Sequence, residues 1–142
     1  MRLLVDTNVF LECLLKRERQ SETEEFFKLA LIRRQQTCVT AMSLRDIGYI
    51  VHKYNHDKGI TKRMVQKVYE ITSKVINTSA DAAIESIYLD AKDYDDSMQM
   101  LAAEEAMCTA IITYDRKGFE GSNLPVFTPK EICDIWKKEN RL

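Results

Sequence analysis

The sequence predicts a three-layer α/β/α domain, in which a parallel sheet lies between two layers of helices. Two observations lead to this fold class. Short apolar runs with strand character alternate along the chain with longer segments of helical periodicity, an order typical of parallel sheets. No repeat, low-complexity stretch or Pro/Gly/Ser-rich linker interrupts the 142 residues. We therefore expect one domain that spans residues 1–142.

The first elements follow from short apolar runs and helix-start signals. Leu3–Val5 is an apolar run that predicts a buried first strand, ending at the polar sequence Asp6-Thr7-Asn8. An apolar helix is expected over Val9–Leu15. A second helix should begin at Ser21, because glutamates in its first turn favour the positive end of the helix dipole. Thr37–Thr40 then predicts a short strand.

The middle of the chain predicts mostly helix. Ser43-Leu44-Arg45-Asp46 resembles a capping box that opens a helix through Tyr54. A further helix is expected over Thr61–Ile76, where apolar residues recur at spacings of 4, 3 and 4. These residues are Met64, Val68, Ile71 and Val75. A short strand over Val75–Thr78 overlaps the end of that helix.

The last part of the chain predicts two strands between helices. Ser79 caps a helix whose apolar face is formed by Ala80, Ile84, Ile87 and Ala91. A broadly apolar helix should run from Asp95 or Asp96 to Met107. Ala110–Thr113 predicts a buried strand, and Pro125–Phe127 a short one. Thr128-Pro129-Lys130-Glu131 combines an N-cap, a proline and an acid, and predicts the start of the last helix.

Composition limits the classes of function. The chain has 21 Lys and Arg residues against 22 Asp and Glu residues, for a formal net charge of −1. This balance excludes a strongly basic nucleic-acid coat protein but is compatible with an enzyme that acts on nucleic acids. The longest apolar runs are far shorter than the roughly 18 residues of a membrane span, and Asp6 and Glu12 interrupt any signal-peptide core. We expect a cytoplasmic protein that does not contact membranes.

Cysteine and glycine usage excludes two further kinds of site. The four cysteines are far apart, with no CxxC spacing, which argues against a zinc ribbon and predicts reduced, mostly buried thiols. They are Cys13, Cys38, Cys108 and Cys133. The four glycines form neither a GxGxxG nor a GxxxxGK pattern, so dinucleotide and P-loop nucleotide sites are excluded.

Four aspartates are predicted to meet at one edge of the sheet. Asp6 and Asp115 each follow a predicted strand, Asp46 lies in the first turn of a helix that follows a strand, and Asp96 begins a helix. Ligands of such sheets bind outside the carboxyl ends of the strands. Each aspartate alone also has a structural explanation, as a helix cap or a turn residue. Their common position at one sheet edge favours a shared site.

Clustered carboxylates imply a hard cation. Neighbouring carboxylates repel each other and raise each other's pKa, and a bound ion relieves that repulsion. Oxygen ligands without histidine or thiolate select Mg²⁺ or Mn²⁺ over zinc. Such ions activate water and stabilise the charge of an in-line attack on a phosphodiester. The chemistry expected from the four aspartates is therefore phosphodiester hydrolysis.

Four segments together carry a family resemblance. They are Leu3–Phe10 (LLVDTNVF), Asp95–Ala106, Ile112–Asp115 (ITYD) and Thr128–Glu131 (TPKE). They resemble the opening motif, the central acidic helix start, the last Thr-x-Asp motif and the final helix start of PIN domains. PIN domains are the fold of VapC-type toxin ribonucleases. The resemblance extends from Leu3 to about residue 135, and it implies a five-stranded parallel sheet between helices.

The resemblance also implies a role for each site residue. Asp6, Asp96 and Asp115 are then the acids that hold Mg²⁺ or Mn²⁺, with Asn8 and Thr113 as polar supports. The second acid of the family is commonly Glu. This chain offers instead Asp46, in a Leu44–Ile50 segment similar to that of members that use Asp. Asp93 and Asp95 are possible substitutes or supporting acids, and Arg116 and Lys117, next to Asp115, are placed to seat a phosphate backbone.

The leading hypothesis is thus a metal-dependent endoribonuclease, the toxin of a toxin–antitoxin pair, with RNA as substrate. The resemblance further implies an antitoxin partner and a homodimer. Two alternatives remain open: a phosphatase with Asp6 as nucleophile, although a second Asp two residues on is typical there and this chain has Asn8, and a non-catalytic binding module with a degenerate metal site.

Other features favour ordinary explanations. His52 and His56 stand four residues apart on a predicted helix but lack the HExxH pattern, so we expect two solvated histidines. The basic residues Lys58, Lys62, Arg63 and Lys67 could contact phosphates, but a charged surface face explains most of them at least as well. No exposed stacking platform is expected, because most aromatic residues, Tyr69 among them, fall on apolar stripes.

Overall fold

The computed structural model describes residues 1–89 and 93–140. Within them the chain forms a parallel five-stranded sheet with helices on both faces, which confirms the predicted fold class. The strands are β1 (Arg2–Val5), β2 (Gln36–Thr40), β3 (Lys74–Ile76), β4 (Ala110–Ile112) and β5 (Val126–Phe127). The helices are α1 (Thr7–Leu14), α2 (Gln20–Ile32), α3 (Ala41–Asn55), α4 (Lys58–Ile71), α5 (Ala80–Tyr88), α6 (Tyr94–Glu105) and α7 (Pro129–Glu139). A short 3-10 helix covers Lys117–Phe119. None of the described helices is long and apolar enough to cross a membrane.

The strand order β3-β2-β1-β4-β5 places β1 at the centre of the sheet. Leu4 of β1 is opposite Cys38 of β2 on one side and opposite Ile111 of β4 on the other. The chain first builds outward from β1 through β2 to β3, and then continues on the opposite side with β4 and β5. The switch point, at which the order of the strands reverses, therefore lies between the carboxyl ends of β1 and β4. Asp6 follows β1, and Asp115 follows β4.

The hydrophobic core has two layers, because successive side chains of each strand point to opposite faces of the sheet. Leu3 and Val5 pack into the larger cluster with residues of α1, α2, α3, α4 and α7, including Phe10 and Trp136. Leu4 faces the smaller cluster with Met100 of α6. Three of the four cysteines are buried, and no cysteine forms a disulfide. This packing holds α1, α3 and α6 at the carboxyl edge of the sheet.

Two helix starts agree with the sequence prediction. At α7, the Glu131 N–H donates to the Thr128 hydroxyl (3.2 Å), and the Thr128 N–H donates to the Glu131 carboxylate (3.1 Å). These two reciprocal hydrogen bonds form a capping box, and Pro129 occupies the first turn of the same helix. At α5, the Ala82 N–H donates to the Ser79 hydroxyl (2.9 Å). Ala91, assigned to the apolar face of this helix, lies outside the described residues.

The predicted capping box at Ser43 is wrong. Helix α3 begins two residues earlier, at Ala41, because the Thr40 hydroxyl accepts the Ser43 N–H (3.0 Å) and caps the helix. Asp46 therefore lies inside the helix rather than at its cap. Helix α6 likewise begins before the predicted Asp95 or Asp96, since Asp93 caps it.

The predicted helix over Thr61–Ile76 is too long at its carboxyl end. Helix α4 ends at Ile71, and Thr72 is extended, with ψ 151°. The next residues form β3, in which Val75 is opposite Val39 of β2. Val75 continues the helical spacing by coincidence, because pairing with β2 outweighs the local periodicity.

Candidate functional site

A cavity of about 440 Å³ opens at the carboxyl edge of the sheet. All four aspartates that the sequence proposed as catalytic line it, together with the supporting residues Asn8, Asp93 and Asp95. The remaining lining residues are Thr7, Leu11, Thr40, Met42, Ser43, Tyr49, Ile50, Thr78, Met98 and Gln99. The cavity therefore brings together acids that are up to 109 positions apart in the chain, from Asp6 to Asp115.

Asp6 is the buried centre of the site, with 7% of its surface exposed. It caps α1, where its Oδ1 accepts the Thr7 N–H (2.8 Å) and the Gln99 side-chain amide (3.2 Å). Its Oδ2 accepts the Thr113 hydroxyl (2.8 Å) and the Asn8 amide (3.2 Å). Burial raises the pKa of Asp6 above its ordinary value, and the nearby Asp115 carboxylate adds to that rise. The capping role and the proposed site role therefore coexist in one side chain.

Asn8 and Thr113 tie the two strand ends together. The Asn8 amide donates to the Thr113 hydroxyl (3.2 Å), and its carbonyl oxygen accepts the Tyr114 N–H (3.2 Å). Thr113 is fully buried, and its hydroxyl also accepts the Asp115 N–H (2.9 Å). These contacts fix the turn that carries Asp115 against the end of β1. Both side chains also donate to Asp6 Oδ2, the acid that the sequence expected them to support.

Asp96 and Asp115 converge beside the backbone of Gly118. A Cβ atom on Gly118 would lie 1.8 Å from Asp96 Oδ2 and 3.0 Å from Asp115 Oδ2. Glycine is the residue that leaves room for both carboxylates here. Burial raises the pKa of Asp96 to about 7, and the carboxylates of Asp6, Asp93 and Asp115 contribute. From the sequence, Gly118 fitted an ordinary turn after Asp115, and its position three residues beyond that acid was the available signal.

Asp93, Asp95 and Asp46 line the outer part of the cavity. Asp93 caps α6, and its Oδ1 accepts the N–H groups of Asp95 (2.9 Å) and Asp96 (3.3 Å). Burial and the Asp95 carboxylate raise the pKa of Asp46. The neighbouring Arg45 guanidinium, 3.5 Å from Asp46 Oδ1, opposes that rise only in part. Asp46 thus faces the acidic start of α6 from α3.

Gln99 and Ser43 are polar residues of the site that the sequence analysis did not single out. The Gln99 amide donates to Asp6 Oδ1 (3.2 Å) and to the Ser43 hydroxyl (3.0 Å), and its carbonyl oxygen accepts the Thr40 hydroxyl (3.0 Å). Gln99 lies three residues after Asp96, and Ser43 three residues before Asp46. Residues three apart on a helix share a face, so Gln99 lies on the same face of α6 as Asp96, and Ser43 on the same face of α3 as Asp46. This spacing was visible in the sequence.

The two basic residues expected at the substrate do not line the cavity. Arg116 forms an ion pair with Glu131 of the last helix, and Lys117 begins the short 3-10 helix on the exposed surface. His52, the other candidate ligand considered, contacts the Thr61 hydroxyl through Nδ1 (3.0 Å).

The donor set fits a hard divalent cation. The cavity offers carboxylate, amide and hydroxyl oxygens, which suit Mg²⁺ or Mn²⁺ better than zinc. The pKa values of Asp6, Asp46 and Asp96 are raised by burial and by neighbouring carboxylates, a repulsion that a cation would relieve. Within residues 1–89 and 93–140, no three acidic, histidine or cysteine side chains already surround one point at ligand distance.

The sheet and its acidic cavity define a class: α/β/α proteins with a carboxylate cluster at the switch point of a parallel sheet. The sequence profile of the PIN domain matches residues 2–117. The chain therefore belongs to the PIN domain family. No curated protein matches the chain significantly in sequence.

Solved structures show the same fold. FitAcB from Neisseria gonorrhoeae is similar at a TM-score of 0.69 and 14% identity, covering 89% of this chain and 97% of that chain. A toxin–antitoxin complex from Klebsiella pneumoniae is similar at a TM-score of 0.61 and 22% identity, with coverage of 89% and 97%. The Mycobacterium tuberculosis toxin VapC20, described as cleaving the sarcin–ricin loop, is similar at a TM-score of 0.65 and 9% identity, with coverage of 86% and 95%. At these identities the likeness establishes the fold.

Proposed function

We propose that this protein is a metal-dependent endoribonuclease and the toxin of a toxin–antitoxin pair, with one catalytic domain over residues 1–142. The observation that carries the proposal is the convergence of Asp6, Asp46, Asp96 and Asp115 on one cavity at the switch point. Membership of the PIN domain family supports a nuclease. RNA as the substrate is supported by the similar structure of a toxin described as cleaving the sarcin–ricin loop.

Asp6, Asp96 and Asp115 are the residues that we propose hold Mg²⁺ or Mn²⁺. When bound, such an ion supplies an activated water and stabilises the charge that develops on the phosphate. Asp6 is kept in place by its contacts to Thr7, Gln99, Thr113 and Asn8. Asp46, which lines the same cavity from α3, is the residue that we propose holds a proton or a second ion.

The partner proposals have a separate basis. The similar structure from Klebsiella pneumoniae is a toxin–antitoxin complex, which supports an antitoxin partner for this chain. A homodimer remains a prediction from the resemblance, and a cytoplasmic location remains a prediction from composition and cysteine usage. Light scattering on the purified chain, alone and with the product of an adjacent small gene, would test both assemblies.

The deciding experiment measures cleavage of a labelled RNA with Mg²⁺ or Mn²⁺ and with a chelator. We expect Asp6→Asn and Asp96→Asn to lower the rate by at least about 100-fold. The matched control is Asp81→Asn, an exposed acid in the first turn of α5 that lies outside the cavity. Circular dichroism would establish that the variants fold.

Three outcomes would overturn the proposal. Cleavage that survives chelation, or that is unchanged in both site variants, contradicts the metal site. An aspartyl-phosphate trapped on Asp6 would indicate a phosphatase. No binding of Mn²⁺ by calorimetry, in a chain that cleaves no RNA, would indicate a non-catalytic binding module.

A further inference from the structure

A second cavity, of about 1030 Å³, lies between α3 and α4. It forms a groove whose walls carry two tyrosines and three cations. Its lining residues are Gly48, Tyr49, His52, Lys58, Gly59, Thr61, Lys62, Arg63, Val65, Gln66 and Tyr69. None of these described residues is acidic, in a chain that as a whole has a slight excess of acids. We call this cavity the α3–α4 groove.

The cations of the groove are available to a ligand. Lys58, Lys62 and Arg63 are exposed. The ion pairs found among the described residues involve none of these three side chains. The carboxylate of Asp57, which caps α4, lies beside Gly59. Cations that form no ion pair are suited to phosphates.

The aromatic residues of the groove correct the sequence analysis. Tyr69 was expected on an apolar stripe, but 63% of its surface is exposed, as is 59% of Tyr49. Lys53 Nζ lies 4.4 Å from the centre of the Tyr49 ring and adds a further positive charge at the rim. Exposed aromatic rings beside cations form the combination that binds unpaired bases by stacking and their backbone by charge.

The groove and the acidic cavity share a lining residue on α3. Tyr49 lines both, and Asp46, one turn before it on α3, lines the acidic cavity. His52, one turn after Tyr49, lines the groove. A strand lying along α3 would thus pass from Tyr49 to Asp46 within about one helical turn, about 5.4 Å.

We propose that the α3–α4 groove binds the single-stranded RNA that flanks the bond to be cleaved. The groove would seat backbone phosphates on Lys62 and Arg63 and stack a base on Tyr69. This proposal rests on the proposed ribonuclease function and specifies its substrate as an unpaired strand or loop. It also moves substrate binding away from Arg116, which pairs with Glu131.

The test is fluorescence anisotropy with a short, unstructured, labelled RNA in the presence of a chelator, so that cleavage cannot interfere. The double variant Lys62→Ala/Arg63→Ala should weaken binding and reduce the slope of log affinity against log salt by about 1.4, corresponding to two phosphate contacts. The charge-matched control is Lys28→Ala/Lys138→Ala, which removes two exposed lysines from α2 and α7. It should leave affinity and slope unchanged.

Stacking is tested separately. Tyr69→Ala should weaken binding about tenfold with an unchanged salt slope, and Tyr69→Phe, which keeps the ring, should restore it. Tyr88→Ala removes another exposed tyrosine, on α5, and serves as the control. A duplex of the same sequence should bind the wild type and Tyr69→Ala equally, since its bases are not free to stack.

The outcomes separate this inference from the proposed function. Groove variants that bind RNA like their controls, while the wild type cleaves RNA with Mg²⁺ or Mn²⁺, overturn the groove assignment alone. Groove variants that lose binding, in a chain that cleaves no RNA with either ion, support the groove and overturn the nuclease. Displacement of the RNA by polyglutamate as effectively as by unlabelled RNA, at equal charge, would overturn the RNA assignment in favour of an acidic protein segment.

Discussion

At the scale of single residues, the acids of the site are held in two different ways. Asp6 is fixed by hydrogen bonds from four residues of the described chain. The carboxylate of Asp96 accepts none of the hydrogen bonds found among the described residues, and its pKa, like that of Asp6, is raised by burial and by neighbouring carboxylates. Its side chain reaches the space beside Gly118 that a methyl group would fill. Asp6 is therefore held in place by hydrogen bonds. The position of Asp96 depends on the absence of a side chain at Gly118.

Gly118→Ala should impair the site without unfolding the protein. The new Cβ would occupy the space of the Asp96 carboxylate, and that flexible side chain would rotate away. We expect cleavage to fall by about 100-fold, as for other misplacements of about 1 Å, with little change in the thermal midpoint. Cleavage assays and thermal melts of the variant would check this. A Gly118→Ala variant that cleaves at the wild-type rate would contradict the proposal that Asp96 and Asp115 hold the same ion.

At the scale of elements, the helix starts that the sequence predicted are those with a local signal. Thr128 and Pro129 begin α7 because both the cap and the fixed φ angle of proline are encoded within four residues. The start of α3 offered two hydroxyl residues three positions apart, Thr40 and Ser43. Which of them caps the helix is decided by the end of β2, at Thr40, and thus by the pairing of strands. That pairing is not visible in a local sequence window.

Two capping threonines provide a matched comparison. Thr40→Ala and Thr128→Ala should each lower the free energy of unfolding by about 1 kcal/mol, since each removes the acceptor of a first-turn N–H. Only Thr40 also contacts Gln99, which holds Asp6. Thr40→Ala should therefore lower cleavage as well, by about tenfold. Urea unfolding and cleavage assays would measure both effects, and equal activity in the two variants would show that the Gln99 network does not support the site.

At the scale of the whole molecule, the net charge of −1 combines two opposite regions. Acids gather in the cavity at the switch point, and cations without acids line the α3–α4 groove. The sequence allowed the convergence of the acids to be predicted, because strands of a parallel sheet end at one edge. It did not allow the groove to be predicted, since the exposure of Tyr69 depends on how α4 packs against α3. Each strand end can be recognised from its local sequence, and the sheet then brings these ends to one edge. A groove between helices depends on how the helices pack.

The repulsion among the cavity acids should make the folded chain more stable when a cation is bound. Binding to the folded state alone contributes about 2.7 kcal/mol when the ion is at 100 times its dissociation constant. For a chain of this size we expect the thermal midpoint to rise by about 5 to 10 °C with Mn²⁺. Asp96→Asn and Asp115→Asn should abolish most of that rise, whereas Asp81→Asn should retain it. Because the readout is unfolding rather than cleavage, a rise of equal size in all three variants would place the ion elsewhere and leave the acidic cavity without its proposed ligand.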